Sequence, residues 1–324
     1  MIDKSLLSVN RNKIINKSAS VSGLILKYIF LISISYVVLF PVLSAVSTAI
    51  KTVDAFYDPS LYWLPSNVTF ENFKTAFKAM KFSSAFWKTI SMNLVSAILE
   101  IFSCAIVAYG FARFDFKFKN FFKTLLMATI IVPTQIYIVS MVTNFRNFDI
   151  LGILGLINKI TNIDLRINLL DTSFTFYLPS IFAMGLRSGI LIYIYIQFFS
   201  GLPKELEEAA SIDGCGPFKT FWQIAVPSSS VVFLTVSVFA FIWHWNDYYL
   251  STMYISSNYP LAVRLANIME TLKLNNPFTG GTSSIMIKST SMAACLLFIL
   301  PMLIGYLCVQ NKFVKSIDRV GITG

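Results

Sequence analysis

Few side chains in this sequence can do chemistry, and they gather in three places. Glu100 lies near the middle of an apolar run from about Ala85 to Ala112. The stretch Phe241-Ile242-Trp243-His244-Trp245-Asn246-Asp247-Tyr248-Tyr249 sets an amide and a carboxylate among aromatic rings within another apolar run. Between Leu202 and Pro227 lies a polar island carrying Glu205, Glu207, Glu208 and Asp213. Rings beside amide and carboxylate groups suit sugars, whose C–H faces stack on aromatics while their hydroxyls take directed hydrogen bonds. On a continuous helix Trp243, Asn246 and Asp247 share one face above Leu250, with His244 and Tyr248 on the adjacent one. The same residues fit an aromatic belt at the outer membrane interface. Asp247, about 28 Å along a helix counted from Ser228, suits that belt or the outer mouth of a substrate path. Glu100 is either a substrate contact or a protonated or paired carboxyl group between helices, because an isolated charge in a membrane span is costly. Arg187 is expected to snorkel or pair toward the outside.

Enzymatic chemistry finds no support. His244 is the only histidine, with no second histidine or cysteine at ligand spacing and no serine or cysteine nucleophile arranged around it. No GxxxxGK[ST] sequence occurs, so the chain does not itself cradle a nucleotide in the P-loop manner. Cys104, Cys295 and Cys308 lie in apolar spans and Cys215 in the polar island, without a CxxC or Cys/His cluster. Neither a metal site nor a disulfide framework is implied.

The elements that must position these residues are membrane helices. With 324 residues, 56% hydrophobic and 13% charged, and a mean hydropathy of +0.68, the chain is far too apolar for a soluble domain. Its net charge of +10 comes from dispersed cations at helix flanks, which read as topology signals rather than a nucleic-acid surface. Residues 1–27 hold Lys4, Arg11, Lys13, Lys17 and Lys27 against Asp3 and should remain cytoplasmic. The apolar run after them is too long for a signal peptide and is taken as a retained first helix. Spans are expected at about 28–50, 85–112, 124–145, 176–199, 228–255 and 289–309, with a kink at Pro133. Residues 51–84, which include Asp58, Pro59 and Pro65, form an outer segment with a capped helix near Thr69 to Phe73. Outer loops also cover 146–175, with an interfacial helix over Ile150 to Ile157 and Asp164 beyond it, and 256–288, with turns at Asn275-Asn276-Pro277 and Gly280-Gly281. Arg113, Lys117, Lys119 and Lys123 place their loop inside, and Lys312, Lys315 and Arg319 mark a cytoplasmic tail at 310–324. Both termini are therefore expected inside, around one membrane domain at 28–309.

The island between the fourth and fifth spans has the marks of a helix-turn-helix at the membrane surface. Pro203 fits a first helical turn, and the glutamates after it complement the positive dipole end. Gly214 supplies a left-handed residue, and Pro217 restarts a helix with Phe218, Phe221, Trp222 and Ala225 on one stripe. Ala209, Ala210 and Gly214 let another surface approach closely.

Read as EAA, three residues, G, nine residues, I, one residue, an aliphatic residue and P, the segment Glu208-Ala209-Ala210, Gly214, Ile224, Val226, Pro227 resembles the EAA loop of ABC importer permeases. Leu202-Pro203-Lys204-Glu205-Leu206 and Ile212-Asp213-Gly214 make it most similar to the carbohydrate-uptake branch, in particular the smaller permease of the maltose type. Val226 stands where that family usually has Leu, a conservative departure. The resemblance covers roughly residues 85–315, and the tail from Val309 to Gly324 looks like the same branch. It implies an all-α integral membrane protein with six transmembrane helices, a type I ABC importer transmembrane domain with a cytoplasmic coupling loop at 201–227. It further implies a second homologous permease, an ATPase dimer that binds ATP and Mg, an extracytoplasmic solute-binding protein and a carbohydrate substrate. Glu208, Ala209, Ala210 and Gly214 inherit the ATPase-docking role, with Glu207 and Asp213 beside them, and the tail is expected to reach the ATPase. Trp243, Asn246, Asp247 and Glu100 are the candidate substrate path. A glycerol-phosphate or polyol permease shares these motifs. A self-contained carrier or channel instead predicts inverted halves and an intramembrane charge relay, and leaves the EAA loop unexplained.

Overall fold

The computed structural model describes residues 4–57, 67–149, 152–161, 166–275 and 281–321. Asp58, Pro59, Pro65, Ile150, Asp164, Asn276, Pro277 and Gly280 lie outside the described residues, as do the side chains of Lys4 to Lys17 and of Lys312, Lys315 and Arg319. The described chain is helical: α1 Lys4–Ala49, α2 Glu71–Ala79, α3 Phe82–Arg113, α4 Lys119–Ile131, α5 Thr134–Arg146, α6 Ile153–Thr161, α7 Phe174–Ile181, α8 Ser188–Gly201, α9 Glu205–Ile212, α10 Pro217–Thr220, α11 Val226–Ser228, α12 Ser230–Trp245, α13 Tyr249–Tyr254, α14 Leu261–Ala266, α15 Ile268–Asn275 and α16 Gly281–Gly321. A π-helical turn, Phe221–Ala225, joins α10 to α11. Two isolated antiparallel bridges, Lys51 with Val68 and Phe148 with Ile167, are the β-type pairings among the described residues.

The chain forms two compact units, Met1–Ala76 with Asn276–Leu296, and Phe77–Asn275 with Leu297–Gly324. In the first, α1 exposes Leu26, Phe30, Val37 and Leu43, so it needs an apolar surrounding such as lipid. Its last carbonyls are capped from a distance: the Asn72 amide donates to Ala49 O at 2.8 Å and Lys51 O at 3.0 Å.

In the second unit α3 is the central rod, packed by α8, α7 and α12. Its buried face runs Ala85, Thr89, Met92, Asn93, Ser96, Ala97, Glu100, Ile101, Cys104, Ala105, Ala108 and Tyr109, a three-to-four-residue period. The small side chains let neighbours approach closely, as they do between membrane helices. A Cβ on Gly189 of α8 would lie 2.7 Å from Thr129 Oγ1 of α4.

Among the described residues, residues 23–49, 82–113 and 284–310 are long and apolar enough to cross a membrane as single helices. The other expected spans are interrupted. Pro133 does more than kink its span: α4 and α5 meet at 98°. Proline contributes no amide and forces Val132 into extended backbone (ψ 116°). The expected helix at 176–199 is two helices separated by residues 182–187, where Ala183 and Arg187 take left-handed backbone (φ 55° and 60°). The expected helix at 228–255 ends at Trp245 and resumes at Tyr249, so Trp243, Asn246 and Asp247 do not share one helical face. Residues 217–228 bend from α12 by 82°.

Candidate functional sites: an exposed helix and a polar cleft

The polar island folds as its local signals dictate. Helix α9 starts at Glu205, two residues after Pro203, with Glu205, Glu207 and Glu208 in its first turn. It ends in a Schellman motif: Gly214 N donates to Ser211 O at 3.0 Å and Cys215 N to Ala210 O at 2.9 Å, with Gly214 at φ 76°. Pro217 opens α10 at its first position. The expected aromatic stripe divides, because the π-helical turn shifts the register. Phe221 and Ala225 are buried while Phe218 is exposed.

Glu208, Ala209, Asp213 and Gly214 are exposed on α9 and its cap, and Ala210 is buried. Ile212 (87% exposed), Leu206 and Phe218 add apolar surface around them. Carboxylates, small residues and exposed apolar groups together suit a protein partner. Glu207 faces inward instead. Its Oε1 lies 2.9 Å from Arg113 Nε and accepts a hydrogen bond from Tyr109 O–H at 3.0 Å. Arg113 Nη2 also donates to Leu202 O at 2.8 Å. The Arg113 side chain is only 6% exposed, so the last turn of α3 grips both the end of α8 and the first turn of α9.

The second site surrounds Glu100, whose side chain is fully buried. One carboxyl oxygen accepts the Ser188 hydroxyl proton at the start of α8, and the other lies 2.6 Å from His244 Nε2. The α8 dipole also favours negative charge there. A Cβ on Gly185 would sit 2.8 Å from this carboxyl group, so glycine is required for the close approach. Ser103 O–H donates to Ser180 O at 2.6 Å, fixing the end of α7 to α3.

Beside this network is a cleft lined by residues including Thr134, Tyr137, Ser180, Gly185, Arg187 and His244. Arg187 stacks over the Trp243 ring at 5.1 Å, an internal partner where snorkelling or pairing toward the outside was expected. Asn246 donates from its amide to Ile242 O at 2.8 Å. Asp247 caps α13, accepting from Ser251 N at 2.8 Å, Ser251 O–H at 2.9 Å and Leu250 N at 3.2 Å. Of the four candidate path residues, Glu100 lies behind the cleft wall and Trp243 beneath Arg187, while Asn246 and Asp247 bond the backbone. His244, Ser180 and Ser188 were not selected from the sequence. One signal was available for His244: an ionisable residue deep in one apolar run is short of a partner, and another such residue in a second run can supply it.

A family model described as binding-protein-dependent transport system inner membrane component matches residues 101–319. The chain is 28% identical to the trehalose transport system permease protein SugB of Mycobacterium tuberculosis (strain CDC 1551 / Oshkosh), over 88% of this chain and 93% of that protein. It is 26% identical to the melibiose/raffinose/stachyose import permease protein MelC of Bacillus subtilis (strain 168), over 82% and 86% of the two chains. Among solved structures, a bacterial ABC transporter involved in the import of the acidic polysaccharide alginate has a chain of similar fold. The TM-score is 0.66 at 17% identity, covering 91% of this chain and 98% of that one.

Proposed function

The chain belongs to the family of binding-protein-dependent transport system inner membrane components, and from that premise we propose that it is the permease subunit of a bacterial ATP-driven importer for an oligosaccharide or related sugar. The sugar relatives support the substrate class. The observation that carries the coupling role is α9: it offers Glu208, Ala209 and Gly214 outward while Glu207 is clamped to the end of α3. A surface that is free on one side and fixed to the membrane rod on the other can pass on an external push.

In this reading the coupling loop and both termini are cytoplasmic. A second homologous permease pairs with the chain, and an external solute-binding protein delivers the sugar. An ATPase dimer, which binds the ATP and Mg, docks on α9. Closure of the ATPases moves α9; Arg113 passes that motion to α3, and the Glu100 contacts pass it to α8 and α12. The helices then switch access from one side of the membrane to the other.

Charge reversal at Glu208→Lys, or Gly214→Pro at the positive-φ cap, is expected to abolish uptake in cells expressing the whole transporter while membrane insertion stays intact. Unchanged uptake in either variant sinks the docking assignment. Transport reconstituted without a second permease would count against the heterodimer.

A further inference from the structure

Three interrupted segments converge on one cleft. Thr134 follows the Pro133 break, Gly185 and Arg187 belong to the break at 182–187, and His244 and Leu250 flank the break between α12 and α13; all five line the cleft. In a span crossing a bilayer, irregular backbone is tolerated only where it is packed in protein or borders a wet cavity. Transporters that break their helices in this way place solute at the breaks.

The cleft wall also holds two buried polar atoms with no partner, Ser180 Oγ and His244 Nδ1. Ser180 is fully buried and His244 is 2% exposed. Such atoms carry a desolvation cost unless something fills their hydrogen-bonding capacity. His244 Nε2 is directed at Glu100, which leaves Nδ1 as the ring atom available to a ligand. The serine hydroxyl can donate or accept. Together they match adjacent hydroxyl groups, each of which can donate to one partner and accept from another. The cation on this wall, Arg187, is stacked on Trp243.

We propose that this cleft is a solute-contact site within the permease, where Ser180 Oγ and His244 Nδ1 take the hydroxyl edge of a sugar. Glu100 acts as a positioning residue that sets the His244 ring. The proposal rests on the importer reading and adds this chain's own contact with the sugar.

The test uses the complete transporter, with its partner permease, ATPase and binding protein, in proteoliposomes. Trehalose, maltotriose and raffinose are tried for uptake. In parallel, Met184→Cys on the cleft wall is labelled with a charged methanethiosulfonate reagent, against the same chain without that cysteine. A sugar that is taken up should slow labelling several-fold, and with Ser180→Ala about five-fold more sugar should be needed for the same protection. Ser180→Ala removes an atom that bonds nothing, so the fold has no reason to suffer. Uptake of none of the three sugars overturns the importer reading and this proposal with it. Uptake without protection, or protection indifferent to Ser180→Ala, overturns the cleft assignment alone.

Discussion

Glu100 joins α3 to the start of α8 and to α12 through two side-chain contacts, one with Ser188 and one with His244. Removing one member of such a buried set leaves the others unsatisfied, which costs more than the bond itself contributes. Gly185 reads this closeness directly. A methyl group there meets the Glu100 carboxyl group at 2.8 Å and Ser180 Oγ at 2.9 Å. Gly185→Ala is expected to destabilise the protein by about 1–3 kcal/mol, the usual range for overpacking. Gly201→Ala is the control, since a Cβ there meets nothing within 4 Å. Melting of the two detergent-purified variants checks this, and equal melting temperatures would refute the tight approach.

Helix α9 illustrates how an element can be locally encoded and tertiarily assigned. Its length and end follow from Glu205, Glu207, Glu208 and Gly214, but which glutamate faces outward depends on α3. Tyr109, Arg113 and Glu207 form a half-buried latch whose ion pair is 2.9 Å long. Glu207→Gln or Arg113→Gln should weaken the loop's attachment by about 2–3 kcal/mol, the scale of a hydrogen bond to a charged group. Transport should fall while ATP hydrolysis by the assembled complex persists. Swapping the pair, Arg113→Glu with Glu207→Arg, should recover part of the uptake that each single change loses. A double variant no better than the singles would show that the pair does not act as a unit.

At the scale of the whole molecule, the loops expected outside are tied down by a short clip. Asp171 accepts the Ser257 hydroxyl proton at 2.6 Å and the Ser256 and Ser257 amides at 3.0 and 3.1 Å. Its own amide donates to Tyr254 O at 2.7 Å. The Ser257 hydroxyl, with the Ser256 and Ser257 amides, holds this carboxyl group below its usual pKa. A carboxylate depressed in the folded state adds stability that is fully present above its unfolded pKa of about 3.9 and lost as pH falls through the lower folded value. The melting-temperature gap between wild type and Asp171→Asn should therefore be flat from neutral pH down to about 5 and close below about 4. Because Asp171 is exposed, the gap should be small. A gap that widens on acidification would contradict this sign.

Sequence alone was sufficient for features written in contiguous residues. Apolar runs separated by charged flanks mark a membrane protein because a bilayer tests hydrophobicity over about 20 residues at a time. Gly214 and Pro217 mark the ends of helices because capping depends on backbone freedom within a turn. The EAA spacing pointed to the family that the match over 101–319 establishes. The interruptions were only partly legible: Pro133 announces one, whereas the break at 182–187 carries no proline and rests on left-handed Ala183 and Arg187, held by packing. The partners of the charged residues could not be read in this way. His244 and Glu100 are 144 residues apart, and Arg113 meets Leu202 across 89. An isolated buried charge needs a partner, but only the tertiary structure decides which one, since that choice depends on how α3 packs against α8, α9 and α12 rather than on any local pattern.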